Sequence, residues 1–387
     1  MLKAGTCICP RCGKIFRMAY YYNAPSAIGA RLSYSRQNHT YRVDPYFPDD
    51  PERTANPGFT LQLATRIGKK EQGVPYSITV IRQMDGRSEK EELTMRHSCP
   101  ECRHYNTVLP RHYGIYPLYV IALAGLTSAG KSAWLTAIAN PNNLARLNEA
   151  GYSMHLEPDG YSGSSSKAEP TVPGSIGRTT YLVITDREGK GVAGVLLRDF
   201  SGELFAPARE SAEWGSYDWQ NYSSDWATFA AQGNEYAGPD LFFIVDSTVK
   251  SGKHADQETG AYNTLRNNAD LTGRPVGLIL THADKLMEEK PPHPGDPSGT
   301  VPLIDSKTFA VNAGYRMRQL VPRMALQDYI VTRCHNLARL LSGTGLYRGF
   351  LVKSCENKGG LQDFNNPINV LDPLIWALNT LGIFPVQ

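Results

Sequence analysis

The 387-residue sequence has no run of about 18 uncharged apolar residues, the length that a helix needs to cross a bilayer. The first residues, MLKAGTCICPRCGK, also lack the apolar core of a secretory leader. We therefore expect a cytoplasmic protein that does not engage a membrane. With 41% apolar and 20% charged residues, the composition is typical of a folded globular protein, and the length allows two domains.

Charge of one sign does not dominate either, since 40 Lys and Arg residues oppose 37 Asp and Glu residues. The charges are unevenly spread, because residues 1–117 hold 17 Lys and Arg against 10 Asp and Glu. A basic first part can meet nucleic acid or an acidic protein face. Dense Lys and Arg blocks are absent, so nucleic acid has no firm support as a partner and a solvated surface is the simpler explanation.

Cysteine is scarce, and five of the seven cysteines fall into two tight clusters. Two C-x-x-C pairs, in CPRCG and CPEC, supply Cys9, Cys12, Cys99 and Cys102. Four thiolates spaced in this way form a closed tetrahedral Zn²⁺ site, and metal binding is favoured over disulfides in a cytoplasmic protein. We predict a structural zinc ion held by these four residues. Free or redox-active thiols are the alternative, and Cys7 or His97 can compete as ligands.

The spacing between the two cysteine pairs is much longer than in an ordinary zinc ribbon, which implies an inserted module. Alternating stretches such as YSITVIRQ (Tyr76–Gln83) predict strands within it. We expect a zinc ribbon over residues 1–115, with knuckles at 7–13 and 97–103 and a β-rich insertion at 20–96.

A second domain, residues 116–387, is predicted from a change in the hydrophobic pattern. Apolar runs of strand length alternate with helical stretches, which predicts an α/β fold with a mostly parallel sheet flanked by helices. The predicted strands are Leu118–Gly125, Thr180–Thr185, Gly194–Phe200, Leu241–Ser247, Val276–His282 and Gly349–Cys355. The predicted helices are Ser132–Glu149, Asp328–Leu341 and Asn369–Leu381.

The stretch ALAGLTSAGKSAWL contains the pattern G-x-x-x-x-G-K-[ST], matched by Gly125, Gly130, Lys131 and Ser132. An apolar strand precedes it and a helical stretch follows, which is the context that this phosphate-binding motif requires. Loop N–H groups would converge on phosphate oxygens, Lys131 would reach the outer phosphates and the Ser132 hydroxyl would coordinate Mg²⁺. The other expected nucleotide-binding residues here are Thr127, Ser128, Ala129 and Ala133. The alternative is a plain strand-to-helix turn with an exposed lysine.

The third predicted strand ends in LLRDFSGE, in which Asp199 and Gly202 form a D-x-x-G element. Such an aspartate can hold Mg²⁺ through water, and the glycine N–H can bind the terminal phosphate. Taken alone, the element is a common turn, so its place at a strand end is what makes it informative.

The stretch LILTHADK contains Thr281, His282 and Asp284, followed by Lys285. It resembles the [NT]-K-x-D guanine-specificity element of Ras-like GTPases, whose aspartate accepts two hydrogen bonds that adenine cannot donate. His282 stands where that family usually has Lys, and its ring can stack on the base instead. In VKSCENKG, Ser354 and Cys355 resemble the final guanine-binding element, with Cys in place of a small Ala.

These four elements occur in order, each at the end of a predicted strand, and from Leu118 onward the chain resembles a P-loop GTPase of the translation-factor/Ras-like class. The resemblance implies GTP and GDP binding, Mg²⁺-assisted hydrolysis and a switch that a protein partner recognises. Together with the zinc ribbon, the DFSGE element also resembles the bacterial double-GTPase families, which are encoded in conflict or signalling systems. That resemblance implies a second GTPase or an effector as the partner.

Hydrolysis depends on two further features. A threonine before the second strand should cap Mg²⁺; Thr171, Thr179 and Thr180 are candidates, and nearness to the strand favours Thr179 or Thr180. Glu203 follows D-x-x-G where Ras-like enzymes often have Gln, and a carboxylate beside a γ-phosphate is electrostatically unfavourable. We expect slow intrinsic hydrolysis that a partner accelerates, with catalytic residues Lys131, Thr179, Asp199, Gly202 and Glu203. The alternatives are a nucleotide-dependent scaffold without hydrolysis and a nucleic-acid-coupled ATPase.

Overall fold

The structure is a computed structural model, and the residues that it describes are 1–8, 15–17, 22–23, 30–35, 40–45, 60–67, 70–71, 74–75, 77–84, 87–94, 96–97, 112–125, 129–145, 153–156, 179–186, 188–199, 239–247, 271, 273–282, 346–358, 361–364, 367 and 369–384. The fold given below is that of these residues.

The secondary-structure elements described within residues 1–97 are all β-strands. They are β1 (Thr6–Ile8), β2 (Ile15–Arg17), β3 (Tyr22–Asn23), β4 (Ala30–Ser35), β5 (Thr40–Pro45), β6 (Thr60–Ile67), β7 (Lys70–Glu71), β8 (Val74–Pro75), β9 (Ser77–Met84), β10 (Arg87–Thr94) and β11 (Arg96–His97). β1 pairs with β2 and β7 with β8, while β6, β9 and β10 form one sheet and β3, β4, β5 and β11 form another. The domain limits expected from the sequence remain a prediction.

A seven-stranded sheet dominates the second part. Its strands are β12 (Leu118–Ala124), β13 (Ser153–Leu156), β14 (Thr179–Thr185), β15 (Gly191–Asp199), β16 (Leu241–Ser247), β17 (Pro275–Thr281) and β18 (Leu346–Leu351), in the order β13-β14-β15-β12-β16-β17-β18. β15, β12, β16, β17 and β18 are mutually parallel, whereas β14 runs antiparallel to both its neighbours. A separate antiparallel pair follows, β19 (Glu356–Lys358) with β20 (Leu361–Asp363).

Three helices are defined among the described residues: α1 (Lys131–Ala139), α2 (Pro141–Ala145) and α3 (Asp372–Thr380). α1 and α3 share one apolar core with alternate residues of the sheet. Phe243 of β16 lies at its centre, with its ring 5.4 Å from Trp134 and 6.4 Å from Trp376. Gly277 permits this packing, because a Cβ there would lie 2.4 Å from the Phe243 ring. None of these helices is long and apolar enough to cross a membrane.

The predicted α/β fold with a mostly parallel sheet is confirmed, and six of its strands lie within a few residues of their expected bounds. The single helix expected over Ser132–Glu149 is wrong, because α1 ends before Asn140 and α2 starts at Pro141. Proline forces the residue before it into an extended conformation, and Asn140 accordingly has ψ 122°. β13 and the antiparallel direction of β14 were not expected. The helix predicted over Asp328–Leu341 lies outside the described residues.

The core around Phe243 yields a stability prediction. Phe243→Ala should lower the free energy of unfolding by about 3–5 kcal/mol, because it removes a fully buried ring from between two tryptophans. Val192, which is 37% exposed on β15, provides the control, since Val192→Ala should change stability by less than about 0.5 kcal/mol. Urea denaturation followed by tryptophan fluorescence measures both. Similar losses in the two variants would contradict this core.

Candidate functional site

The carboxyl ends of the parallel strands bring the predicted site residues to one edge of the sheet. β12 ends at Ala124, directly before Gly125, and β15 ends at Asp199, while β17 ends at Thr281. Ligands of open α/β sheets bind at this edge, outside the strand ends. The structure therefore places Gly125, Asp199 and Thr281, one residue from each of three sequence elements, at the same edge of the sheet.

Gly125 directly follows β12, the central strand of the sheet, and lies in close contact with β16. A Cβ at this position would lie 2.2 Å from the carbonyl oxygen of Val245, a separation that no side-chain atom tolerates. Only glycine allows the backbone to pass there, so the residue type follows from the packing. The carbonyl of Gly125 accepts a hydrogen bond of 2.8 Å from Nζ of Lys131, which is 6% exposed. The lysine thereby closes the loop between β12 and α1.

Gly130 and Thr281 fix the other end of this loop. Gly130 caps α1 with φ 88°, a left-handed conformation that favours glycine. The Thr281 hydroxyl of β17 donates a 2.7 Å hydrogen bond to the carbonyl of Ala129. Its side chain also fills the space beside Gly130, where a Cβ would lie 3.1 Å from Thr281 Cγ2. β17 thus positions the loop through a side chain that the sequence assigns to guanine recognition.

His282 directly follows Thr281 and has φ 56°, which is uncommon for a residue other than glycine. Its Nδ1 lies 3.0 Å from Ser247 Oγ and 3.1 Å from Thr281 Oγ1. The single Thr281 hydroxyl proton is directed at carbonyl oxygens, those of Ala129 and Asp246. Toward His282 the hydroxyl must therefore accept, which assigns the proton of a neutral ring to Nδ1. The exposed ring is held in place at the edge of the loop.

Asp199 lies beside the central strand, in register with Leu123, and is fully buried. Burial of a carboxylate is unfavourable unless a cation or hydrogen-bond donors accompany it, and Asp199 does interact with other groups of the chain. Thr179, at the start of β14, pairs with Arg198, the residue before Asp199. Thr179 and Asp199 therefore lie on adjacent strands, β14 and β15, at the same edge of the sheet.

Two buried charges at this edge were missed by the sequence analysis. Arg198 is 0% exposed and Asp246 is 3% exposed, at the ends of β15 and β16. Asp246 Oδ1 accepts a 2.8 Å hydrogen bond from the Ser247 amide. The available signal was a charged residue at the end of an apolar run, in LLRD and FFIVD. Such residues are rarely buried unless they are paired.

Ser354 and Cys355 follow β18. Ser354 is 7% exposed, and its Oγ has no hydrogen-bond partner among the residues that the structure describes. Cys355 is partly buried and packs against the core cluster. The structure thus brings Ser354 to the same edge of the sheet as Thr281, because β17 and β18 are parallel neighbours.

Several predicted site residues lie outside the described part of the chain: Thr127, Ser128, Gly202, Glu203, Asp284, Lys285, Cys9, Cys12, Cys99 and Cys102. Their roles remain predictions. Ser132 and Ala133 lie in the first turn of α1 and are partly buried. Among the described residues there is no group of three or more side chains that could hold a metal ion.

Cys7 does not have the surroundings of a metal ligand. It is fully buried, and its Sγ donates to the carbonyl of Tyr113 at 3.7 Å. Burial raises the pKa of the Cys7 thiol well above its ordinary value, which favours the protonated form over a metal-binding thiolate.

A strand that ends at Ala124 is thus followed, from Lys131, by a helix whose amino end carries this lysine. The first N–H groups of α1 have no partners within the helix, and the helix dipole adds positive potential at the same end. Such an end binds phosphate groups. The chemistry that these residues support is therefore the binding of a phosphate chain at the carboxyl edge of the sheet.

Comparisons with known proteins give distant likenesses. No protein-family model and no curated protein matches the sequence. Among solved structures, a variant of SsGBP aligns over 69% of this chain and 58% of its own, at 11% identity and TM-score 0.31. The G domain of the T. maritima FeoB iron transporter aligns over 61% and 88%, at 12% identity and TM-score 0.25. The septin GTPase domain from Chlamydomonas reinhardtii aligns over 70% and 95%, at 11% identity and TM-score 0.32.

The chain thus spans little more than half of the length of SsGBP.

The Thr281 hydroxyl can be tested separately from the rest of its side chain. Thr281→Val keeps the shape but removes the bond to Ala129, and should lower the free energy of unfolding by about 1–3 kcal/mol. Thr281→Ser keeps the hydroxyl and is the matched control, with a smaller loss. Chemical denaturation of the two variants in parallel measures the difference. If the Val variant is as stable as the wild type, Thr281 does not fix the loop.

Proposed function

We propose that this protein binds GTP with Mg²⁺ at the loop from Gly125 to Ser132 and hydrolyses it. The observation that carries the proposal is the loop itself, closed by Lys131 on Gly125 at one end and held by Thr281 on Ala129 at the other. Lys131 Nζ donates to the Gly125 carbonyl, and in this proposal it also donates to phosphate oxygens, since an ammonium group has three donors.

We assign guanine as the base because of the position of Asp284 after β17. Thr281 ends β17 beside the loop, and Asp284 follows three residues later in the sequence. A carboxylate there would accept hydrogen bonds from the guanine N1–H and 2-amino groups, which adenine lacks. Ser354 and Cys355, at the end of the next strand, would complete the contacts with the base.

Ser132, Asp199 and Thr179 are the residues that would hold Mg²⁺. Ser132 stands in the first turn of α1, Asp199 ends β15 and Thr179 begins β14, so the three expected Mg²⁺ partners come from adjacent elements. The metal would neutralise charge on the phosphates and on the buried Asp199 carboxylate, which is the chemistry it supplies in phosphoryl transfer.

Glu203 supports slow hydrolysis that a protein partner accelerates. A carboxylate near the γ-phosphate repels it unless a cation intervenes, and a partner can supply an arginine for that purpose. The same residue favours a second candidate function, a nucleotide-dependent scaffold that binds GTP without hydrolysing it. A role beside a second GTPase in a bacterial conflict or signalling system remains a prediction from the sequence resemblance.

Binding measurements with Mg²⁺ and GTP, GDP or ATP test the proposal. Lys131→Ala should weaken GTP binding at least about 10-fold, because a charged hydrogen bond to phosphate is lost. Asp284→Ala should reduce the preference for GTP over ATP by about 100-fold or more. Lys190→Ala, which alters an exposed lysine in the turn before β15, is the matched control and should bind like the wild type.

Other results would contradict parts of this proposal. Equal wild-type affinity for GTP and ATP would favour an ATPase. Bound GTP that is never hydrolysed, with or without a partner, would favour the scaffold. Isolated turnover near ~10 s⁻¹, a typical enzyme rate, would contradict slow intrinsic hydrolysis.

We also propose a structural zinc ion at the cysteine pairs. The support is local: β1 and β2 pair antiparallel up to Ile8 and Ile15, so the connection that closes this hairpin contains Cys9 and Cys12. β11 ends at His97, two residues before Cys99. A hairpin that ends in a C-x-x-C pair is a common source of two zinc ligands.

Metal analysis of the purified protein should find one zinc ion per chain. Cys99→Ser should lower this content sharply, because a tetrahedral site with three thiolates binds zinc more weakly. Cys355→Ser is the matched control, since Cys355 packs against the core of the second domain. Zinc content near zero in the wild type, purified without chelators, would contradict the site.

A further inference from the structure

We propose that the N-terminal segment, residues 1–8, responds to the nucleotide state through the hairpin formed by β14 and β15. The inference rests on the proposed function, since it needs a nucleotide at the loop. The nucleotide site would then affect a second region of the protein. This region lies at the amino ends of the parallel strands, opposite the loop, and it directly precedes the first cysteine pair in the sequence.

The N-terminal segment packs directly against the start of the second domain. Leu2 and Leu118 exchange two backbone hydrogen bonds of 2.7 and 2.8 Å, in an antiparallel bridge at the base of the central strand. The Gly5 amide donates to the carbonyl of Gly114 at 2.7 Å. The Tyr113 hydroxyl donates to the carbonyl of Ile8 at 2.6 Å. Contacts thus run along the whole segment, and Leu2, Cys7 and Ile8 are buried.

Residues 112–117, which form the connecting segment, also contact the hairpin. The Tyr181 hydroxyl of β14 donates to the carbonyl of His112 at 2.9 Å. The rings of Tyr113 and Tyr181 meet edge to face at 4.8 Å. The Gly194 amide of β15 donates to the carbonyl of Pro117 at 2.9 Å. Tyr113 therefore joins the N-terminal segment, through Ile8, to the hairpin, through Tyr181.

Two glycines of β15 leave no spare room at this contact. A Cβ on Gly191 would lie 2.0 Å from the Tyr116 ring, and a Cβ on Gly194 would lie 2.4 Å from the Tyr181 hydroxyl. Each ring occupies the space of an absent side chain. Close-packed contacts of this kind cannot slide without a change of neighbours, so movement of the hairpin would alter them.

The other end of the same hairpin reaches the nucleotide site. Thr179 begins β14 and Asp199 ends β15, beside the loop, and these are two of the proposed Mg²⁺ partners. Seven residues of β14 span only about 20 Å. A nucleotide that shifts Thr179 and Asp199 would therefore also move the contacts that the rest of this short element makes with residues 112–117.

Coupling of this kind must be reciprocal. If GTP and GDP differ in their effect on the hairpin, the contacts of Tyr113 and Tyr181 differ in stability between the two states, and these contacts in turn favour one nucleotide. β1 ends at Ile8, next to Cys9, so the effect reaches the proposed zinc site. The cysteine-bearing part of the chain would then present the nucleotide state to a partner.

Hydrogen exchange of the wild-type protein tests this directly. The amides of Leu2 and Gly5, which donate across the contact, should exchange at rates that differ at least about 5-fold between the GDP state and the state with a non-hydrolysable GTP analogue. The amide of Ile375, in α3 on the opposite side of the core, is the internal reference and should exchange equally in both states.

Tyr181→Phe removes the hydroxyl that binds His112 and should reduce the difference in exchange while nucleotide still binds. Val192→Ala is the control, because Val192 lies on the same hairpin but its side chain is 37% exposed. That variant should keep the wild-type difference.

The outcomes separate the two proposals. If both nucleotides bind but Leu2 and Gly5 exchange equally, the segment is a fixed anchor and the coupling is overturned, while the proposed function stands. If a difference persists unchanged in Tyr181→Phe, it does not pass through this hairpin, and the proposed route is overturned. If neither nucleotide binds, the proposed function fails and the coupling fails with it.

Discussion

The backbone at Gly125, directly after β12, lies so close to the Val245 carbonyl that only glycine fits where the central strand ends. Because β12 and β16 are parallel and pair up to Ala124 and Ile244, the chain must leave the sheet at this point, above the carboxyl edge. The Lys131 ammonium then bonds back to Gly125, and α1 starts with its amino end at the same edge. The position of the site therefore follows from backbone packing before any catalytic side chain is considered.

The polar residues at the carboxyl edge of the sheet are held by hydrogen bonds within and between its strands. Thr281 links β17 to the loop, His282 lies between Thr281 and Ser247, and Asp246 accepts from the Ser247 amide. Hydrogen-bond networks of this kind fix geometry, because each partner restricts the next. The contacts of Gly125 and Ala129 hold the two ends of the loop, and groups held in advance lose little conformational freedom if a ligand binds there.

Features of the fold that depend on a few consecutive residues could be predicted from the sequence. The strand–loop–helix around Gly125 and Lys131 was recognisable because glycine spacing and an apolar run specify it together. The break before Pro141 follows from a local rule that the long helical pattern concealed. The direction of β14 was not predictable, because a strand with apolar residues such as Leu182 and Ile184 has the same pattern whether its neighbour runs parallel or antiparallel. The burial of Arg198 also depends on tertiary packing that one strand does not encode.

A crystal structure with Mg²⁺ and a non-hydrolysable GTP analogue tests the central claim most directly. The account predicts the β- and γ-phosphates at the amino end of α1, with Lys131 Nζ within hydrogen-bond distance of their oxygens and Thr281 still bonded to Ala129. A nucleotide bound elsewhere, or a loop that must detach from Thr281 to admit the phosphates, would contradict it.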